Sequence, residues 1–222
     1  MLNQKRLNFL AEWKEVLISS CVAVFCLALF YLFPAKGLAQ AVSSAVFFLL
    51  VVPVLYIKLI LKKNLADFGA SLPLTRNGLL TVFIALIISL LMSYFFIHFT
   101  PFRKFYSVPV YAMSGFWNFL LYEFVFFNYL FFLLEFFFKG FFLFIFSEKI
   151  GYLSIPLTVL VSFVFLYLAK TFSWDNALYM ITMLTGAFVA FRTRSFFLSY
   201  LMGILFIIMT DAYLIYLFKN SL

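Results

Sequence analysis

Long apolar runs, each closed by charged residues, proline, glycine or serine, recur along the chain. Residues 16–33 end at Pro34, 39–61 at Lys62 and Lys63, and 79–99 at Pro101-Phe102-Arg103-Lys104. A stretch over 114–146 is closed by Ser147-Glu148-Lys149-Ile150-Gly151, and 152–169, 177–191 and 196–217 follow. An apolar helix of about 20 residues crosses the hydrocarbon core of a bilayer. The pattern therefore predicts an all-α polytopic transmembrane helical bundle of about seven spans. The 114–146 stretch is too long for one upright crossing, because its helix would reach about 50 Å against a core of about 30 Å. It reads either as a strongly tilted helix or as an interfacial segment running into a span, and an eighth crossing is open there. Residues 1–15 read as a cytoplasmic tail, and 16–222 as one transmembrane domain.

Composition supports the same class: 67% of the residues are hydrophobic, 11% are charged, and the mean hydropathy is +1.13. A soluble domain carries about 25% charged residues. The 36 phenylalanines and 13 tyrosines suit lipid-facing positions as well as leucine does, and do not by themselves make an aromatic recognition surface. The net charge of +8 does not point to nucleic acid, since no basic patch interleaved with aromatics stands out. Basic residues of membrane proteins gather in short cytoplasmic loops and meet anionic lipid there. With seven spans, ten basic residues fall on the N-terminal side (Lys5, Arg6, Lys14, Lys58, Lys62, Lys63, Arg76, Lys149, Arg192, Arg194) and five on the other. The excess places the N-terminus in the cytoplasm. No small-residue cleavage site follows the first run, which reads as a retained helix. Cys21 and Cys26 lie inside that run as packing residues. His98 is the one histidine, so no Cys/His metal cluster is available, and no cofactor is expected.

The informative residues are ionisable groups inside spans, because a charge at the bilayer centre costs about 2.5–3.5 kcal/mol even on insertion scales. Glu123, Glu135 and Lys139 qualify, all in the long fourth stretch. Glu135 and Lys139 stand four apart with the acid first, the favourable order for a helical ion pair. Asn128 precedes Glu135 by seven residues, which returns to within about 20° of the same direction on an α-helix. Asn128, Glu135 and Lys139 thus form one polar stripe, with Glu123 pointing elsewhere. The stripe reads equally as a self-neutralised packing feature or as a base or ligand, Glu135, in a wet cavity. Among the weaker positions, Lys170 closes the fifth span, Asp175 caps the next helix, and His98 sits at an interface. Ser199, Gly203 and Thr210 mark close helix contact in the last span. Asp211 reads as a partner of Lys219 or of a loop cation.

Leu134-Glu135-Phe136-Phe137-Phe138-Lys139-Gly140 resembles the Glu-Glu-x-x-x-Arg-Gly motif of the CPBP family of intramembrane proteases. That family includes the CAAX prenyl endopeptidases and bacteriocin-processing or immunity proteins. The order of spans and the loop Lys62-Lys63-Asn64-Leu65-Ala66-Asp67-Phe68-Gly69 are also similar to the family layout. The resemblance implies a location in a bacterial cell membrane. It puts Leu134 in place of the first glutamate, Glu135 at the second and Lys139 at the arginine. Lys170 stands near the middle histidine, and Gly203 and Ile207 stand near the last motif. What it implies is a degenerate member that keeps the ion pair without the histidines, with Lys170 and Asn128 as binding positions. Such a protein would have membrane lipid and another membrane protein or peptide as its partners, with no nucleic acid, and would serve as a scaffold, immunity or interaction factor. An active endopeptidase using Glu135 and a small transporter component are the competing readings.

Overall fold

The computed structural model describes the backbone of residues 2–220 except 35, 107 and 171, and the side chains of residues 13–219 except 35, 107, 126, 171 and 175. The cap read for Asp175 therefore lies outside the described side chains. Among the described residues every element is helical and no strand occurs. Seven rods follow one another: α1 (Leu2–Leu32), α2 (Leu38–Ile60), α3 (Arg76–Phe99), α4 (116–150), α5 (Ser154–Leu168), α6 (Ala177–Thr193) and α7 (Phe196–Asn220). The segment read as a tail is helical in continuity with the first run. Five segments are long and apolar enough to cross a membrane, one of them the 53-residue stretch Phe116–Leu168.

That stretch is not one rod. Gly151, at φ 55° and ψ −128°, turns the chain in a left-handed backbone region that disfavours a side chain. The fold-back pairs α4 with α5, and Phe138 meets Phe165 with ring centroids 6.0 Å apart. Before the turn, α4 runs unbroken over 116–150, so the long fourth stretch is one continuous helix.

Local chemistry sets the other ends. Thr75 caps α3 by accepting from the Gly78 amide at 3.1 Å. Ser195 caps α7 by accepting from Leu198 at 3.2 Å. In α2, Pro53 cannot donate to the carbonyl four residues back, and wide i→i+5 turns at Phe47–Val51 and Tyr56–Ile60 flank it. Such re-pairing keeps backbone groups satisfied where no water can reach them.

Paired contacts fix the directions. Ser19 meets Tyr56 and Phe33 meets Phe48, so α1 and α2 are antiparallel. Ser89 on α3 reaches Thr185 on α6 and Met202 on α7, and Ser93 reaches Thr210. His98 reaches Tyr213, so α3 and α7 run parallel. The rods alternate in direction, which brings Glu15, Lys63, Glu148 and Arg194 to one end of the bundle. There Lys63 lies 2.5 Å from Glu15 and 3.8 Å from Glu148. Burial alone pulls the Lys63 ammonium pKa down, but the hydrogen bond to Glu15 and the nearby carboxylates reverse this and leave it above the ordinary lysine value. The three side chains are 31–63% exposed, and such a cluster contributes only about 0–1 kcal/mol per pair.

The centre of the bundle is the second half of α4. Phe137, Phe138 and Phe141 are fully buried there, together with Met183 of α6 and Phe206 of α7. The phenylalanines divide between this interior and an outer face that carries Phe25, Phe47, Phe83, Phe95 and Phe99. Cys26 is buried and Cys21 exposed, both free.

The loop between α2 and α3 is pinned across the fold. Asn64 and Asp67 form a capping box over the single turn Leu65–Phe68, which ends at Gly69 in the left-handed region, φ 75°. The Gly69 carbonyl accepts from the Phe196 amide at 3.0 Å, and Ser195 donates to the Ser71 carbonyl. A Cβ on Gly69 would lie 2.9 Å from the Phe196 nitrogen and closer still to the Phe144 ring. Gly69→Ala is expected to destabilise the protein by about 1–3 kcal/mol from backbone strain alone and to open the loop. Both effects can be read by thermal unfolding in detergent and by proteolytic nicking within 62–76.

Candidate functional site

Asn128, Glu135 and Lys139 lie on one side of α4, and the structure brings Glu135 and Lys139 together as the sequence spacing implies. The region from Phe136 to Phe142 is a wide i→i+5 turn, yet the i,i+4 contact is kept. Lys139 Nζ donates to Glu135 Oε1 at 2.5 Å and to the Thr182 carbonyl of α6 at 2.8 Å. Ser199 of α7 donates to Glu135 Oε2 at 3.1 Å. Glu135, Lys139, Thr182 and Ser199 are all fully buried. The pair is therefore a three-helix joint in which each carboxylate oxygen already accepts a hydrogen bond.

Two glycines make the joint possible. A Cβ on Gly186 of α6 would fall almost on Lys139 Nζ and 2.6 Å from Ser199 Oγ. The ammonium occupies the space that a side chain would take. A Cβ on Gly203 of α7 would fall 2.6 Å from the Phe131 ring. Small residues at helix contacts let backbones approach in this way, and the reading of Ser199, Gly203 and Thr210 as contact positions agrees with their neighbours.

Asn128 is half-buried on the same face but does not reach Glu135. Its Oδ1 accepts from the Tyr200 hydroxyl at 2.6 Å, which adds a second α4–α7 contact. Lys170 is not brought to the site. It is exposed just beyond α5, in left-handed backbone at φ 56°, at the end of the bundle away from Lys63. Gly203 packs on Phe131, and Ile207 is buried in the core. His98 is exposed near the end of α3, bonded to Tyr213 at 3.0 Å and packed on Tyr94.

One expectation is overturned. Asp211 pairs with no cation among the described residues; it accepts from the Tyr106 hydroxyl at 2.7 Å and stands beside Glu123. Lys219 lies in the last turn of α7, eight residues beyond Asp211 and too far along the helix to serve a buried carboxyl held by the α3–α4 linker. A signal for this existed in the sequence. Once Lys139 is assigned to Glu135, Glu123 and Asp211 are the in-span acids left over, and Lys58 and His98 stand near the ends of their own helices. Thr182, Gly186 and Tyr179 were not singled out from sequence. Thr182 acts through its carbonyl, which no residue type announces, and Gly186 by lacking a side chain. Tyr179 is buried near Glu135 with its hydroxyl unpartnered.

An apolar hollow lies elsewhere. A cleft of about 560 Å³ is bounded by Met92 and Phe96 of α3, Phe163 of α5, Trp174, and Met180 and Leu184 of α6. Its walls are almost wholly apolar, and Glu135 does not line it. Among the described residues no group of three or more His, Cys, Asp and Glu side chains could hold a metal ion. No family model, curated protein or solved structure matches the chain.

Lys139→Met is expected to destabilise the fold by about 3–5 kcal/mol, because it leaves a buried carboxylate without its cation. Adding Glu135→Leu should restore most of that loss, since apolar replacement of a whole buried pair is often neutral. Denaturant unfolding of the two variants in matched micelles measures the difference.

Proposed function

We propose that this chain is a non-catalytic multi-pass membrane protein, related in layout to the CPBP endopeptidases, that acts by holding another membrane protein or peptide. The observation that carries the reading is the closure of the Glu135 site. A general base must reach the proton it removes, directly or through one water. Glu135 is fully buried, with Lys139 on one oxygen and Ser199 on the other. Lys139 is equally enclosed, so the pair ties α4 to α6 and α7 and offers a substrate no approach.

The same proposal includes seven crossings with the N-terminus in the cytoplasm. Alternation of the seven rods supports the count, and the gathering of Lys63, Arg194 and neighbouring basic residues at one end supports the orientation. The helices α5 and α6, of 15 and 17 residues, reach only about 22–26 Å, short of a core of about 30 Å. The bilayer would thin around them or the flanking residues would extend to the interface. The apolar cleft between α3, α5 and α6 is the surface best suited to an apolar segment of a partner.

The experiment is mass spectrometry of protein termini in host membranes carrying the wild type or Glu135→Ala at equal abundance. Identical profiles are expected. New termini that appear only with the wild type would overturn the reading and establish an endopeptidase that depends on Glu135.

A further inference from the structure

The second set of buried charges follows a different rule from the first. Glu123, on the wide turn Tyr122–Phe127 of α4, is fully buried, and neither carboxyl oxygen receives a hydrogen bond from an ordinary donor among the described residues. The carboxyl of Asp211, 2% exposed on α7, stands within bonding reach of it. Asp211 Oδ1 is already held by Tyr106, from the segment that links α3 to α4. The titratable groups facing the two acids are Tyr106 from that linker, Tyr122 from α4 itself and each other, with Tyr111 against the Tyr122 ring at 5.9 Å. No lysine, arginine or histidine forms an ion pair with either acid among the described residues. His98 is bonded to Tyr213 instead.

Two adjacent carboxylates in a water-poor interior repel each other strongly, and each also loses its hydration. One proton placed between them removes a charge and gives the unpartnered Glu123 carboxyl a hydrogen bond at the same time. The Tyr106 hydroxyl then stabilises the single negative charge that remains on Asp211. We propose that Glu123 and Asp211 form a binding site for one proton, held in a carboxyl–carboxylate hydrogen bond that joins α4 to α7 beneath the α3–α4 linker. The site is separate from the Glu135–Lys139 joint and does not depend on the reading given above.

The sign of the linkage is fixed by the proton count. Unfolded carboxyls are ionised at neutral pH, so the folded protein holds one proton more than the unfolded chain, and its stability falls as pH rises. Over about pH 5.5–8 the wild-type Tm should drop by about 3–5 °C per pH unit relative to Glu123→Gln. The glutamine amide can donate to Asp211 in place of the proton. Should Glu123→Gln fail to fold, the mirror variant Asp211→Asn serves as the reference. Infrared spectra of the wild type in lipid vesicles at neutral pH should show a protonated-carboxyl C=O band that moves in D₂O and is missing from the variant. Equal pH slopes in wild type and variant, or an unchanged band, would overturn the proposal. So would stabilisation of the wild type by sodium chloride over choline chloride at one pH, which would assign the site to a metal cation.

Discussion

Lys139 is the point on which the interior is organised. An ammonium at the heart of an apolar bundle has no water to fall back on, so its donors must be met by the protein or the helices separate. The three helices meet that demand with different parts. The fourth supplies the Glu135 carboxylate, the sixth a backbone carbonyl at Thr182 and a missing side chain at Gly186, and the seventh a hydroxyl at Ser199 that steadies the carboxylate. The close packing of Phe137, Phe138, Phe141 and Met183 surrounds that arrangement. Phenylalanine fills space but sets register weakly, whereas one directional ion pair admits a single alignment of the three rods. In some bundles a buried polar group fixes register in this way, at a cost in stability.

The helices were legible because lipid leaves the backbone few alternatives. The apolar runs end within a few residues of the observed rods, from the Pro34 turn to the Ser195 cap, and Gly151 marks the fold-back between α4 and α5. The i,i+4 spacing of Glu135 and Lys139 was legible for the same reason, since it is a property of one helix. What crosses between helices was not. The Thr182 carbonyl and the void at Gly186 have no signature in a single chain. Asp211 was assigned to a cation near its own helix end, because nothing in the spacing of Glu123 and Asp211 tells that two helices so far apart in sequence lie side by side. Lys170 shows a different case. Alignment to a motif drew it toward the site, and burial physics keeps it out at the bundle end.

Both polar clusters sit on the seam between α4 and α7, at opposite halves of it, with the Asn128–Tyr200 bond between them. The seam is thus polar at intervals along a helix that is otherwise mostly phenylalanine and leucine. Elsewhere hydroxyl residues either bond back to their own helix, as Ser162 and Thr158 do in α5, or make single contacts to a neighbour, as Ser19 does with Tyr56 and Ser89 with Thr185. Those that bond back need no partner on another helix and leave its packing free. Among the described residues the buried carboxyl groups Glu123, Glu135 and Asp211 all lie on the α4–α7 seam.

The sequence distance between partners also decides when each charge is silenced during synthesis. Glu135 and Lys139 belong to one helical turn, so α4 carries its own counter-ion into the bilayer before α6 or α7 has been made. Glu123 enters in the same helix with no such companion. Its neighbour Asp211 is translated 88 residues later, and until then Glu123 has no second acid beside it with which to share a proton. The long helix is therefore self-sufficient at one end and provisional at the other, and only the arrival of the last span completes it.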